Sequence, residues 1–77
     1  MDIHISLRLF ASLAQRMPKR PDKFAVSPGT TTGEVLSALG ISEDEAKLVF
    51  INNKRVDLSS ILNDGDRMGV FPPVGGG

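Results

Sequence analysis

The chain has no cysteine, tryptophan or tyrosine, and His4 is its one histidine in 77 residues. Without cysteine there is no disulfide, no thiolate metal site and no thiol nucleophile, so stability has to come from packing alone. A surplus of one charge is also missing: nine Lys and Arg balance nine Asp and Glu, for a formal net charge of +0. That balance disfavours a nucleic-acid partner, which is normally drawn by an excess of positive charge. The longest aliphatic and aromatic run, Leu48-Val49-Phe50-Ile51, falls far short of the roughly 20 residues that cross a bilayer. The opening Met-Asp-Ile-His-Ile lacks the basic start and apolar stretch of a signal peptide. The expectation is a cytoplasmic protein with no membrane partner.

What is present, 40% hydrophobic and 23% charged residues, is ordinary for a folded domain and unlike a disordered chain. A chain of this length buries only about 60% of its unfolded surface, which leaves little room for a closed catalytic cavity beside a core. Most enzyme classes are disfavoured on that ground.

Ile3, Ile5, Leu7 and Leu9 alternate with His4, Ser6 and Arg8, the period-2 pattern of a strand with one buried face. Phe10 to Met17 shifts to helix-like spacing and is halted by Pro18, with Pro21 close behind, so a short helix or turn is predicted. Phe24 and Val26 flank a brief second strand ended by Ser27-Pro28-Gly29. Thr31-Thr32-Gly33-Glu34 has capping-box spacing, followed by Val35, Leu36 and Leu39 on one helical face and by Gly40 as a terminator. Ser42-Glu43-Asp44-Glu45 repeats the box over a stretch that can support one turn of helix. Leu48–Ile51 is predicted as a buried strand, turned by Asn52-Asn53 onto Arg55-Val56, with Asn53 as the strained position. After the turn at Asp64-Gly65-Asp66, Met68 and Val70 should face the core while Arg67, Gly69 and Phe71 face outward. The class is α+β: a mixed sheet of about five strands covered by one main helix, in a single unit.

Residues 72–77 read Pro-Pro-Val-Gly-Gly-Gly and carry no charge and no side-chain donor or acceptor. With Gly at about 7% of average composition, a terminal Gly-Gly-Gly arises by chance roughly once in 3,000 chains. The two prolines favour an extended arm, and glycines without β-carbons suit a narrow channel in a partner. Six extended residues span at most about 20 Å, enough to place the Gly77 carboxylate in another protein's active site. There, ATP and Mg²⁺ held by a partner would convert the carboxylate to an acyl-adenylate open to attack by a sulfur or amine nucleophile. Two regions follow, a folded domain at 1–71 and a reactive, flexible tail at 72–77.

Other clusters have plainer readings. Arg16 to Lys23 is basic, but with no clear stacking platform it reads as a solvated loop. Glu43-Asp44-Glu45 and Asp64-Gly65-Asp66 suit capping and turns and not a metal site. His4 and Arg8 read as solvated polar residues of an exposed sheet face, while Phe71, beside the tail, reads as a docking residue.

The chain resembles the ubiquitin-like β-grasp sulfur carriers of the MoaD/ThiS type, most closely MoaD, the small subunit of molybdopterin synthase. The likeness runs through Leu9-Phe10-Ala11-Ser12-Leu13, Thr31-Thr32-Gly33-Glu34-Val35-Leu36, Asn52-Asn53, Val56-Asp57 and Leu62-Asn63-Asp64-Gly65-Asp66. Its specific part is Phe71-Pro72-Pro73-Val74 before the terminal glycines. The resemblance implies that a MoeB- or ThiF-like enzyme adenylates Gly77 and that a C-terminal thiocarboxylate forms there, Gly76 giving the slender approach. It also implies that Phe71, Pro72, Pro73, Val74 and Gly75 bind partners. Sulfur would then pass to a pterin precursor inside a MoaE-like subunit that supplies the catalytic side chains, on the way to molybdenum or tungsten cofactor. The chain itself would hold no cofactor and no metal. Asn53 stands where such carriers often have glycine, Gly75 occupies a site often taken by another small residue, and the short Gly40–Lys47 segment is similar to the ThiS type. A thiazole, thiamine or cysteine client, or a protein-modifier role, are the alternatives.

Overall fold

The computed structural model describes residues 1–73. Its first strand, β1 (Ile3–Leu9), follows the alternation: Ile5, Leu7 and Leu9 are buried while His4 and Arg8 are exposed. A 3₁₀ helix at Ala11–Arg16 buries Leu13, and a shorter one at Pro21–Lys23 leads into β2 (Phe24–Val26), which pairs antiparallel with β1. Helix α1 (Thr32–Ala38) starts at the expected capping box, with the Thr31 hydroxyl accepting from the Glu34 amide and the Glu34 carboxylate accepting from the Thr31 amide. It buries Val35 and Leu36 and is followed by Gly40 at φ +75°, the left-handed residue that ends a helix cheaply.

Strands β3 (Leu48–Ile51), β4 (Lys54–Arg55) and β5 (Arg67–Phe71) complete a five-stranded sheet in the order β2-β1-β5-β3-β4. β5 runs parallel to β1 on one side and antiparallel to β3 on the other. One face of the sheet supplies Ile5, Leu7, Leu9, Val49, Met68 and Val70 to a core shared with Val35 and Leu36 of α1 and with Leu13, Ile41, Ala46 and Leu62. Each of these side chains larger than Ala46 contributes about 1.5–3 kcal/mol when fully buried. The result is the expected β-grasp fold, a mixed sheet packed on one main helix.

The segment after β4 ties helix to sheet. The amides of Thr32 and Gly33 donate to the carbonyls of Ser60 and Leu58, and the fully buried Thr32 hydroxyl donates to the Asp57 carbonyl at 2.8 Å. These bonds use helix-terminal amides that have no partner within the helix itself. Gly33 is required by this closeness: a Cβ there would sit 3.0 Å from the Leu58 carbonyl oxygen and 3.2 Å from its Cβ.

Three sequence expectations need correction. Leu48–Ile51 is not buried throughout; Val49 is buried and its neighbours are half-buried, because Leu48 and Phe50 point to the other side of the sheet. The return strand is Lys54–Arg55 in place of Arg55-Val56. Strain at the hairpin is shared, with Asn52 at φ +52° and Asn53 at φ +70°, as a turn with two left-handed central residues demands. Asn52 earns its place through its side chain. Its carbonyl oxygen accepts from the Arg67 amide, its NH₂ donates to the buried Asp66 carboxylate, and its own amide donates to the Arg67 carbonyl. At Ser42–Glu45, by contrast, the box is present as hydrogen bonds and closes a single turn, as expected, with the Glu45 and Ala46 amides donating to the Ser42 carbonyl. The Ser42 backbone amide and the Arg16 guanidinium hold the Glu45 carboxyl below its ordinary range.

Gly33→Ala trades a helix-propensity gain of about 1 kcal/mol against overpacking of about 1–3 kcal/mol on a pinned carbonyl. A net loss of about 1 kcal/mol is expected, read as a Tm lower by about 4–8 °C. In the hairpin the two asparagines should respond oppositely in urea unfolding. Asn52→Gly loses two side-chain hydrogen bonds and about 1–2 kcal/mol, while Asn53→Gly relaxes the turn and gains about 0.5 kcal/mol.

Candidate functional site

Because β5 lies between β1 and β3, its outward residues occupy the middle of the sheet's second face. Register sets Gly69 between Arg8 of β1 and Phe50 of β3, and sets Phe71 beside Leu48. Lacking a side chain, Gly69 leaves a depression. Phe10, the next outward position of β1's alternation after Arg8, lies over it: a Cβ on Gly69 would meet Phe10 Cε2 at 3.7 Å.

The backbone holds Phe10 there. Its amide donates to the Val70 carbonyl, extending the β1–β5 ladder by one bond, and its carbonyl accepts from the amide of buried Leu13. Between them Ala11 takes φ +54°, a turn that an L-residue rarely makes. The Phe10 ring stacks on Phe71 with centroids 4.2 Å apart and planes within 3°, and Phe50 meets Phe71 edge-on at 5.6 Å and 80°. Such aromatic pairs contribute about 0.5–1.5 kcal/mol beyond the area they bury. Together with Arg8 and Arg67 the three rings line an open groove of about 460 Å³. Phe10 remains 39% exposed, too much for a core residue of its size.

Phe71 therefore stands on the outer face, as its place in the alternation predicts, and its ring is braced by two others. Pro72 is half-buried and Pro73 exposed at the end of β5. Val74, Gly75, Gly76 and Gly77, named as site residues from the sequence, lie outside the described residues. His4 is exposed and is tied through its backbone, its amide donating to Asp64 Oδ1 and its carbonyl accepting from the Gly65 amide. The acidic clusters serve the local roles expected of them: Glu45 caps Ser42, Asp64 holds the His4 amide, and Asp66 accepts from Asn52 and the Asn63 amide. Among the described residues no group of three or more His, Asp or Glu is placed to hold a metal ion, and no helix is long and apolar enough to cross a membrane. The basic stretch from Arg16 lies largely exposed; Arg16 itself pairs with Glu45 at 2.9 Å, with both side chains 40% exposed, a pairing of small energetic weight.

This framework, a parallel pair of terminal strands with a glycine-rich end beyond the central one, coincides with a family model described as the ThiS family over residues 7–77. The chain belongs to the ThiS family. Members of this ubiquitin-like group of sulfur carriers and modifiers work with E1-like adenylating enzymes and with partner subunits. The fold of this ThiS-family chain is matched by the solution structure of the Haloferax volcanii HVO 2177 protein at 27% identity and a TM-score of 0.78, covering 99% of this chain and 88% of that one. H. volcanii small archaeal modifier protein 1 matches at 28% identity and a TM-score of 0.73, covering 94% and 99%. A Pyrococcus furiosus protein described as a candidate subunit 1 of molybdopterin converting factor has the same fold at 20% identity and a TM-score of 0.65, covering 94% and 99%. No curated protein sequence matches.

Two members of the groove escaped the sequence reading. Phe10 reads as part of the helix-like stretch after β1, although the even-numbered alternation His4, Ser6, Arg8 continues into it. Phe50 reads as part of a buried run, although Val49 and Ile51 on either side of it lie on the opposite face of the strand. Truncation at Phe10 should leave the core untouched. Phe10→Ala is expected to fold with a stability loss of about 1 kcal/mol, the size of an aromatic pair. The ring protons of Phe71 should move downfield as the stacked ring's current disappears, read in a proton NMR spectrum.

Proposed function

We propose that the chain is a sulfur carrier for molybdopterin biosynthesis whose working group is the carboxyl of Gly77. A MoeB-like enzyme, using its own ATP and Mg²⁺, joins that carboxyl to AMP and releases pyrophosphate. Hydrosulfide from a sulfur donor then attacks the acyl carbon and AMP leaves, a C–S bond replacing the C–O bond to phosphate, so the end becomes a thiocarboxylate. The sulfur passes to a pterin precursor in a MoaE-like subunit, which supplies the acid and base groups, in the cytoplasm. In this reading Gly76 admits the end to a narrow channel, Val74 and Gly75 lie along it, and Phe71, Pro72 and Pro73 contact the partner's rim. The carrier needs no catalytic side chain and no bound cofactor of its own.

The observation that carries the reading is that the family match extends through Gly77, beyond a strand anchored on both sides in the middle of the sheet. A reactive end leaving a central strand is held at a defined point, while an edge strand would fray. The specific client, a pterin, is supported by the Phe71-Pro72-Pro73-Val74 ending and by the shared fold of the P. furiosus protein. A second reading, attachment of the Gly77 carboxyl to lysines of other proteins, is favoured by 28% identity to a small archaeal modifier protein. Both begin with the same adenylate and part at the nucleophile.

Intact mass of the protein from its own host decides between them. Replacement of one terminal oxygen by sulfur is the expected result, and isopeptide-linked conjugates with no thiocarboxylate would favour the modifier. In reconstitution with a MoeB-like enzyme, deleting Gly77 or adding one residue after it should abolish sulfur uptake while Tm is unchanged. An extended protein that still accepted sulfur would sink the proposal.

A further inference from the structure

Charge is segregated in this neutral chain. None of the five strands carries an Asp or Glu, so every side-chain carboxylate among the described residues sits in a loop, a turn, α1 or the short 3₁₀ helix Pro21–Lys23. The outer sheet face carries Arg8 on β1, Arg67 on β5 and Arg55 on β4, the last placed there by its pairing with Phe50. Arg8 and Arg67 line the groove, form no ion pair among the described residues, and are exposed. Asp22 is the one acidic residue on its rim. The floor at Gly69 and the walls of Phe10, Phe50 and Phe71 are apolar, so the groove offers a pocket for one apolar side chain between two free guanidinium groups.

We propose that the groove binds a partner-protein segment that presents an apolar side chain flanked by carboxylates, Arg8 and Arg67 selecting the acidic flanks and the phenylalanines receiving the anchor. The inference rests on the carrier reading in one respect, that a partner must hold the folded body while its end is processed. Charge complementarity fixes the sign of the occupant. Docking removes water from the guanidinium groups, and among unmodified protein side chains it is the carboxylates of Asp and Glu that replace it with charge-assisted bidentate hydrogen bonds. The rings argue against a nucleic-acid occupant. Phe10 and Phe71 are stacked on each other and Phe50 lies edge-on, so the faces that would receive bases are largely turned to one another.

Two arms test this separately from the sulfur chemistry. In the first, ¹⁵N-labelled protein is titrated with a blocked peptide Glu-Asp-Leu-Phe-Glu-Asp and with its charge-inverted form Lys-Lys-Leu-Phe-Lys-Lys. The acidic peptide should shift the amides of Arg8, Gly69 and Phe71 and bind about tenfold tighter than the basic one, a difference of about 1.4 kcal/mol. The double variant Arg8→Glu, Arg67→Glu should lose at least that factor, and the double variant Lys19→Glu, Arg20→Glu, an equal charge change at two exposed loop residues that do not line the groove, should stay within about twofold. Raising salt from about 0.1 to 1 M, which shortens the screening length from about 10 to 3 Å, should weaken the acidic peptide. Equal shifts from both peptides, no shift at those amides, tighter binding of a short oligouridine at the same residues, or an unaffected double variant would each overturn the proposal. Because both arginines are exposed, an unchanged spectrum away from the groove verifies folding.

In the second arm, ATP–pyrophosphate exchange by a MoeB-like enzyme is followed with the same variants. Exchange that is supported by wild type and falls at least fivefold in the double variant supports both readings; exchange insensitive to the variant overturns the acidic-partner inference alone. Wild type that supports no exchange while the peptide still binds overturns the carrier reading and leaves the groove's chemistry standing.

Discussion

Everything in this structure hangs on the parallel pairing of β1 with β5. The register Leu7 with Met68 and Leu9 with Val70 places residues from the two ends of the described chain side by side at the centre of the core. A parallel pair cannot be closed by a tight turn; it needs a long crossover, which here is nearly all the intervening chain, α1 included. Helix and hairpin are therefore parts of one connection. Met68 and Val70 are fully buried because β5 has a neighbour on each side and the helix layer beneath it. With no cysteine to staple it, the domain relies on this pairing and on the core it closes.

A second set of bonds keeps the crossover from sliding. The 57–62 segment has little regular structure, yet it takes the amides of Thr32 and Gly33, accepts the Thr32 hydroxyl, and returns the Leu62 amide to the Thr30 carbonyl. Asn52 does the equivalent work at the other end of the sheet, using its side chain to prolong the β3–β5 ladder into the turn. Both devices give partners to backbone groups that the helix and the regular strand ladder leave unpaired. Both fix where β5 begins, and so where Phe71 and the residues beyond it emerge.

Much of this was legible in the sequence because local signals and the tertiary structure agree. The alternation in Ile3–Leu9, the Thr31/Glu34 box, Gly40 and Gly65 at positive φ, and the inward Met68 and Val70 all follow from periodicity and turn chemistry. What was not legible depends on pairing across the sheet. Phe50 belongs to a four-residue apolar run whose composition cannot reveal that Val49 and Ile51 face the core while Leu48 and Phe50 face away. The role of Asn52 requires knowing that Arg67 and Asp66 lie opposite it, some 15 residues on. Gly33 reads as a weak helix residue until Leu58 is seen against it. The groove was half visible: Arg67, Gly69 and Phe71 were placed outward, but Phe10 was assigned to the element that follows its own strand.

The two faces of the same strands are thus under separate physical constraints. On the inner face a lost methylene leaves a cavity, and the cost grows with how poorly the site collapses. On the outer face Arg8, Phe10, Phe50 and Phe71 could be made smaller or recharged with little consequence for the core, since period-2 alternation isolates the two sides. An apolar, basic surface kept at the middle of a sheet, where polar side chains would be the better choice for solubility, is therefore not explained by folding. Association with a partner, as proposed, would explain it. Because Phe71 is at once part of that surface and the last residue of the central strand, a partner gripping the groove holds the very strand from which the chain's end departs. In the proposed carrier, recognition and delivery are in this way mechanically joined through one residue.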